Sequence, residues 1–390
     1  MAHYFIFPEK DTTLYSHPDR SKMNAGNDEV LEIVKEKGSS DQNHHPSRIL
    51  IHFKNEEVTN ALSLMGHDKF TSSLSEVKLQ LTTADTKNLT STHVINAYAV
   101  SQSWTEGTGK YLNLPTGSNG VSWIYRDDST TATPWTGSGT STNWFGDSGA
   151  TGSISQSVLE QGGGTWYTGS QFYATQQFKE GESLDLDLDV KNILHKHSAS
   201  INGGSTYPVG IENYGFLLKS LDTVEHNISS SFGEIQWFSS NTHTIYPPKL
   251  VFKWDDSIYS LPDGAIVKNT GSLSVSLYRN QKEYNQNDEA LIRLNVRDRY
   301  PTREFSTTSN YLKPNFFTTS SFYSIRDAHT EREIIPFDDY TKLSADDEGM
   351  YFKLYMKGLQ PERYYRLLLK HINTDGTTIY DNDYYFKVVR

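Results

Sequence analysis

The chain has no cysteine among its 390 residues, which excludes disulfide staples, thiolate zinc sites and a cysteine nucleophile. No apolar run approaches the roughly 18–20 residues that a membrane-spanning helix needs. With 35% hydrophobic residues and a mean hydropathy of −0.61, no membrane span is expected. Basic clusters are also missing: Lys and Arg number 36 against 47 Asp and Glu, for a formal charge of −11. A general nucleic-acid binder needs a basic stripe to displace counterions, so nucleic acid is not an expected partner. The opening Met1-Ala2-His3-Tyr4-Phe5-Ile6-Phe7-Pro8 has no basic region followed by an apolar stretch, and no secretory signal is read there. Signatures of catalysis are absent as well. There is no Gly-x-Ser-x-Gly and no His-Glu-x-x-His, and Gly162-Gly163-Gly164 lacks the Lys-Ser/Thr of a phosphate loop. No pair among the acids stands out for glycoside hydrolysis. The expectation is a protein that is not an enzyme.

What is present points to sheets. Ser 43 and Thr 37 make up about a fifth of the chain, and the aromatics (Tyr 24, Phe 18, Trp 7) reach 13%, a composition that suits pleated strands. Helical periodicity is scarce; Asp28–Glu36 fits a helix face and a strand about equally. Short alternating segments follow at 48–53, 76–82, 93–100, 184–190, 216–219, 234–238 and 249–254, separated by Gly, Ser and Asn turns. Ser260-Leu261-Pro262-Asp263-Gly264 reads as a turn and a domain boundary. Beyond it strands resume at 272–278, 289–296, 351–356, 364–370 and 383–389, while 300–340 reads as irregular, like an inserted loop. The expected fold is all-β: an N-terminal jelly-roll β-sandwich with long loops over 1–258, then an immunoglobulin- or fibronectin-III-like β-sandwich over 262–390. The run Gly358-Leu359-Gln360-Pro361-Glu362-Arg363-Tyr364 resembles a fibronectin-III tyrosine corner, whose hydroxyl bonds back to the preceding loop.

Six segments occur in a suggestive order: Asp11-Thr12-Thr13-Leu14 with Asn24-Ala25-Gly26-Asn27; Arg48-Ile49-Leu50-Ile51-His52-Phe53; Tyr98-Ala99-Val100 running into Ser103-Trp104-Thr105-Glu106-Gly107; Gly120-Val121-Ser122-Trp123; Asp189-Val190 with Asn213-Tyr214-Gly215-Phe216-Leu217-Leu218-Lys219; and Phe238-Ser239-Ser240 with Pro248-Lys249-Leu250. Together they resemble the DNRLRE-type (disaggregatase-related) β-jelly-roll, a relative of carbohydrate-binding modules. That resemblance implies a module that scaffolds or binds, with Trp104 and Trp123 as core anchors. The whole chain, cysteine-free and rich in hydroxyl residues and β modules, resembles virion structural proteins of tailed bacteriophages. This implies a multimeric assembly with other virion proteins at a tail, baseplate, neck or fibre attachment, and a virion location after synthesis in the host cytoplasm. The alternative is a carbohydrate-binding or adhesive cell-surface protein.

Five of the seven tryptophans lie between Trp104 and Trp166 in a Gly-, Ser- and Thr-rich stretch, read as long ordered loops. Trp135, Trp144 and Trp166 are the surface candidates, for a partner subunit first and for a glycan second. His44-His45 and His195-Lys196-His197 lack a third ligand at a recognisable spacing, so no metal is expected. Asp185, Asp187 and Asp189 share one strand face and are read as a solvated row. No cofactor is expected beyond a structural calcium, which jelly-roll binding modules often hold.

Overall fold

The computed structural model describes residues 2–38, 43–89, 92–111, 119–135, 162–167, 169–179, 181–202, 211–225, 227, 229, 231, 233–278, 280–302, 305 and 314–390, with the backbone alone at 198–202. Trp144 lies outside the described residues. The fold is all-β, as composition and alternation indicate, with 48% of it in strands and only 9% in helix. The chain divides into two compact units. One comprises Met1–Phe5, Met65–Glu76 and Phe252–Arg390; the other comprises Ile6–Leu64 and Val77–Val251. The division expected at 258–262 falls inside the former unit. The expected turn there does form, with the Ala265 amide donating to the Pro262 carbonyl (3.1 Å).

The larger unit is built on an eight-stranded sheet. Its strands run in the order Tyr173–Lys179, Thr92–Ala99, Phe216–Ser220, His44–His52, Val30–Lys37, Glu234–Phe238, Thr83–Lys87, with Lys10–Tyr15 also pairing His44–His52. The ambiguous 28–36 segment is a strand, because its apolar residues match cross-strand partners: Leu31 faces Trp237 and Ile33 faces Ile235. Leu79 and Leu81 likewise face Leu188 and Leu186 on a neighbouring antiparallel pair.

Helix is scarce, as expected, but two helices form where none was read. In Asn55–Met65, Val58, Ala61, Leu62 and Met65 are all buried, which is an i, i+3, i+4, i+7 stripe with Glu56 and Glu57 in the favourable first turn. Lys191–Asn202 follows Asp189, whose carboxylate accepts from the Lys191 amide (3.0 Å).

The other unit stacks two sheets in a β-sandwich-like arrangement. One runs Ile266–Lys268, Asn315–Phe317, Glu289–Asp298, Gly349–Tyr355, Ser344–Asp346, with Leu273–Tyr278 also on Glu289–Asp298. The second runs Glu283–Asn285, Gly376–Val389, Arg363–Asn373, Ser321–Asp327, Glu333–Ile335. Rings from opposite sheets meet between them: Tyr323 stacks on Phe352 at 4.3 Å, and Phe317 lies 4.4 Å from His371 and 5.6 Å from Tyr380.

Two details of this unit depart from expectation. The stretch read as irregular contributes Ser321–Asp327, paired along its whole length to Arg363–Asn373. Its serines obscured the strand pattern; Ser324 is buried because its hydroxyl donates to the Ile335 carbonyl (2.8 Å). The tyrosine whose hydroxyl bonds back to the preceding loop is Tyr365, not Tyr364: it is buried and donates to the Gln360 carbonyl at 2.9 Å.

Candidate functional site

Strand alternation places Arg48 in phase with Leu50, and Lys219 in phase with Leu217. Both leucines belong to a buried cluster with Leu14, Val100, Trp104, Val121, Trp123, Trp135 and Trp166. Two cations are therefore carried into an apolar core, which is tolerable only with an anion beside them. Glu225 supplies it. Arg48 Nε and Nη2 donate to its two carboxylate oxygens at 3.1 and 2.8 Å, and Lys219 Nζ lies 2.8 Å from Oε2. All three side chains are 0% exposed. Burial works against the Glu225 carboxylate, but Arg48 and Lys219 overcome it and hold the group below the ordinary carboxylate range.

The indoles close the arrangement. The Arg48 guanidinium lies 4.7 Å from the Trp123 ring and 5.0 Å from Trp166, and Lys219 Nζ sits 5.1 Å from Trp166. Arg48 Nη1 also donates to the Gly163 carbonyl at 2.8 Å. A Cβ at Gly163 would come within 2.5 Å of that nitrogen and 2.7 Å of the Trp123 ring, and its φ is +82°, so only glycine fits.

The segments quoted from the sequence converge next to this core. Asn24 Nδ2 donates to the carbonyls of Glu106 (2.5 Å) and Val121 (2.7 Å), and Asn24 Oδ1 accepts from the Gly109 amide (2.8 Å). Trp104 Nε1 donates to the Tyr214 carbonyl at 3.0 Å. The Asp11 carboxylate accepts the Ser240 amide at 2.7 Å and the Ser240 hydroxyl at 3.0 Å. The Asp11 amide in turn donates to Glu106 Oε1 at 2.8 Å. Burial, opposed by the Ser240 hydrogen bonds and assisted by the Glu106 charge, pushes Asp11 up to about 7. Burial also raises Glu106 and lowers Lys10. Chemically, the site is a clamp that fixes loop bases.

The structure places Trp135 and Trp166 in this core, each 1% exposed. The surface reading of both is therefore corrected: Trp135 Nε1 donates to the Ser122 carbonyl (3.1 Å) and Trp166 faces the two cations. Trp104 and Trp123 are buried beside them, as anchors. Arg48, Lys219 and Glu225 were missed, although a cation in phase with inward leucines was the available signal.

The other candidates separate. His195 and His197 sit on a helix, where i and i+2 diverge rather than share a face. His197 is fully buried, neither of its ring nitrogens has a hydrogen-bond partner, and burial lowers it to about 3. The aspartate row does not fit a calcium site, because each carboxylate accepts a different protein donor: Thr83 N for Asp185, Gln80 Nε2 for Asp187 and Lys191 N for Asp189. Among the described residues no group of three or more His, Asp or Glu is placed to hold a metal ion, and no helix is long and apolar enough to cross a membrane.

In the sandwich-like unit, Tyr364 and Tyr385 are exposed on one outer sheet face. They alternate with Arg366 and Lys387, since Tyr364 faces Lys387 and Arg366 faces Tyr385 in register. Arg366 donates to Glu331 (2.8 Å) and Asp381 (3.1 Å), and Lys387 pairs with Glu362. Leu291 and Tyr278 are exposed in the other sheet. No family model matches the sequence, and no curated protein matches it.

Proposed function

We propose that the chain is a non-enzymatic structural component of a tailed-bacteriophage particle, at the tail, baseplate, neck or fibre attachment, acting through protein–protein contacts in a multimeric assembly. The observation that carries this reading is the use of the tryptophans. Every described indole of the Trp-rich stretch is buried in a loop base stiffened by Arg48, Lys219 and Glu225. That is the construction of a rigid platform rather than of a stacking surface. Large apolar side chains on outer sheet faces, including Leu291, Tyr278 and Tyr364, suit coverage by partner subunits. In the same proposal the larger unit is a jelly-roll of the DNRLRE kind and the other an immunoglobulin- or fibronectin-III-like module. The interlocked motif segments and the Tyr365 corner support that assignment.

Mass spectrometry of density-gradient-purified virus particles from the source culture tests the proposal. Recovery in fixed ratio to the capsid protein is expected. Absence from particles with recovery at the cell surface or in the medium would overturn it. The second reading, a carbohydrate-binding or adhesive surface protein, is favoured by the Tyr364–Arg366–Tyr385 face, where rings alternate with charged groups held by carboxylates. Binding to a glycan panel that is lost in Tyr364→Ala and Tyr385→Ala would establish it.

A further inference from the structure

We propose that Asp11 and Glu106 form a proton-operated latch. With a proton on the pair, the segments around Asn24, Glu106 and Ser240 stay interlocked; with both carboxylates charged, the interlock loosens.

The geometry is that of a junction. Asp11 is 1% exposed and lies opposite Ile51 in the ladder. Its carboxylate holds the Ser239–Asn241 turn through two hydrogen bonds from Ser240, and its own amide is taken by Glu106. The turn is fastened further: Asn241 Nδ2 donates to the Gly26 carbonyl (2.9 Å) and the Ser239 hydroxyl donates to the Asp28 carbonyl (2.5 Å). Glu106 sits in the loop whose carbonyl Asn24 grips. Three chain segments distant in sequence thus depend on two neighbouring carboxyl groups.

One cation, Lys10, favours the charged form of Glu106, and the other groups around the pair do little to neutralise a second negative charge. From its own strand, Glu9 adds a further carboxylate, and Lys10 is turned to Trp104, donating to its carbonyl and lying 4.5 Å from its ring. From the adjacent strand, His52 faces Lys10, is bound to Glu9 and the Asn213 carbonyl, and is held toward its neutral form by burial. From the loops come Asp28, raised by burial, and Asp127, whose field reaches Lys10. Asp11, pushed by burial to about 7, changes charge near neutrality. The sign follows from linkage: a carboxyl whose folded value lies above its unfolded one contributes stability that is full below the unfolded value of 3.8 and is lost as pH rises through about 7.

The test compares the full chain with Asp11→Asn by chemical denaturation between about pH 4 and about pH 8. The expected result is that wild type loses stability relative to the variant as pH rises from about 4, the loss levelling off near neutrality. Hydrogen exchange corrected for intrinsic rate should show the 24–26, 105–109 and 239–241 segments opening at the higher pH in wild type only. Parallel pH curves for the two proteins would overturn the latch. Should Asp11→Asn fail to fold, carbon-detected titration of aspartate-labelled wild type decides directly. A buried aspartate titrating near neutrality is expected, shifted down by Glu106→Gln and up by Ser240→Ala. A set of aspartates all titrating below about pH 5, near their unperturbed range, would overturn it.

Discussion

Arg48 sits with no exposed surface because three kinds of partner meet it: a carboxylate in two-point contact, a backbone carbonyl, and two indole faces. The dependence is one-sided. Replacing Glu225 by Gln keeps the volume but removes the anion that Arg48 and Lys219 share, and breaking one member of a buried pair typically costs about 3–5 kcal/mol. Glu225→Gln is expected to lose about that much in urea denaturation. A loss under about 1 kcal/mol would mean that water reaches the cations. Trp135→Ala should cost about 3–5 kcal/mol by opening a cavity in the same core. Tyr364→Ala, at an exposed position, should stay within about 0.5 kcal/mol. These paired outcomes separate a packing tryptophan from a presenting tyrosine. At this scale the sequence was only partly legible. It showed where the tryptophans are, but their burial depends on Arg48, Gly163 and Glu225, which lie far from one another along the chain.

At the scale of elements, alternation was a reliable guide wherever one face is apolar, as in Ser75–Leu81 with Val77, Leu79 and Leu81 buried. It failed where hydroxyls break the pattern, as in Ser321–Asp327, and in Arg363–Asn373 it found the strand but not which residues face inward. Leu367, Leu368 and Leu369 are all buried because the register shifts there, so a bulge turns an odd residue inward. Partner choice was illegible altogether, since register is set by residues on the facing strand. Leu273–Tyr278 illustrates a further point that alternation does not show. Its outer edge is met by side chains: Asn382 Nδ2 donates to the Val275 carbonyl (2.8 Å), and the Leu277 amide donates to the Tyr384 hydroxyl (3.3 Å). Such capping occupies groups that would otherwise template another strand. The double variant Asn382→Ala/Tyr384→Phe is expected to self-associate with rising concentration in sedimentation velocity, while wild type keeps its sedimentation coefficient. Unchanged sedimentation of the variant would show that the edge is protected by other means.

At the scale of the molecule, opposed titrations shape the response to pH. His197 is held neutral by burial, with a folded value of about 3 against an ordinary 6.5. Its contribution is therefore complete above about 6.5 and is lost as pH falls toward 3. Glu225, held below the carboxylate range by Arg48 and Lys219 against the cost of burial, is lost in the same direction, at lower pH. Asp11 runs the other way and is spent as a stabiliser of the acid limb once it is protonated. Stability is expected to change little between about pH 7 and about pH 5 and to fall steeply below about pH 4. His197→Leu should flatten the steep limb, by a few kcal/mol at about pH 4, measured by urea denaturation at both ends of the range. An acid limb unchanged in the variant would place the sensitivity elsewhere.

The clamp also sets a timetable. Arg48 and Glu225 are 177 positions apart in the chain, and Gly163, which completes the guanidinium's contacts, lies between them. At roughly 5–20 residues per second, a ribosome that has released Arg48 needs on the order of 10–35 s before its carboxylate emerges. During that interval four tryptophans and a strand bearing an unneutralised guanidinium wait without their core. Assembly of this unit is thus a late, all-at-once event in synthesis, and a chain halted before residue 225 would carry its stickiest surface uncovered to whatever holds nascent proteins in the cell.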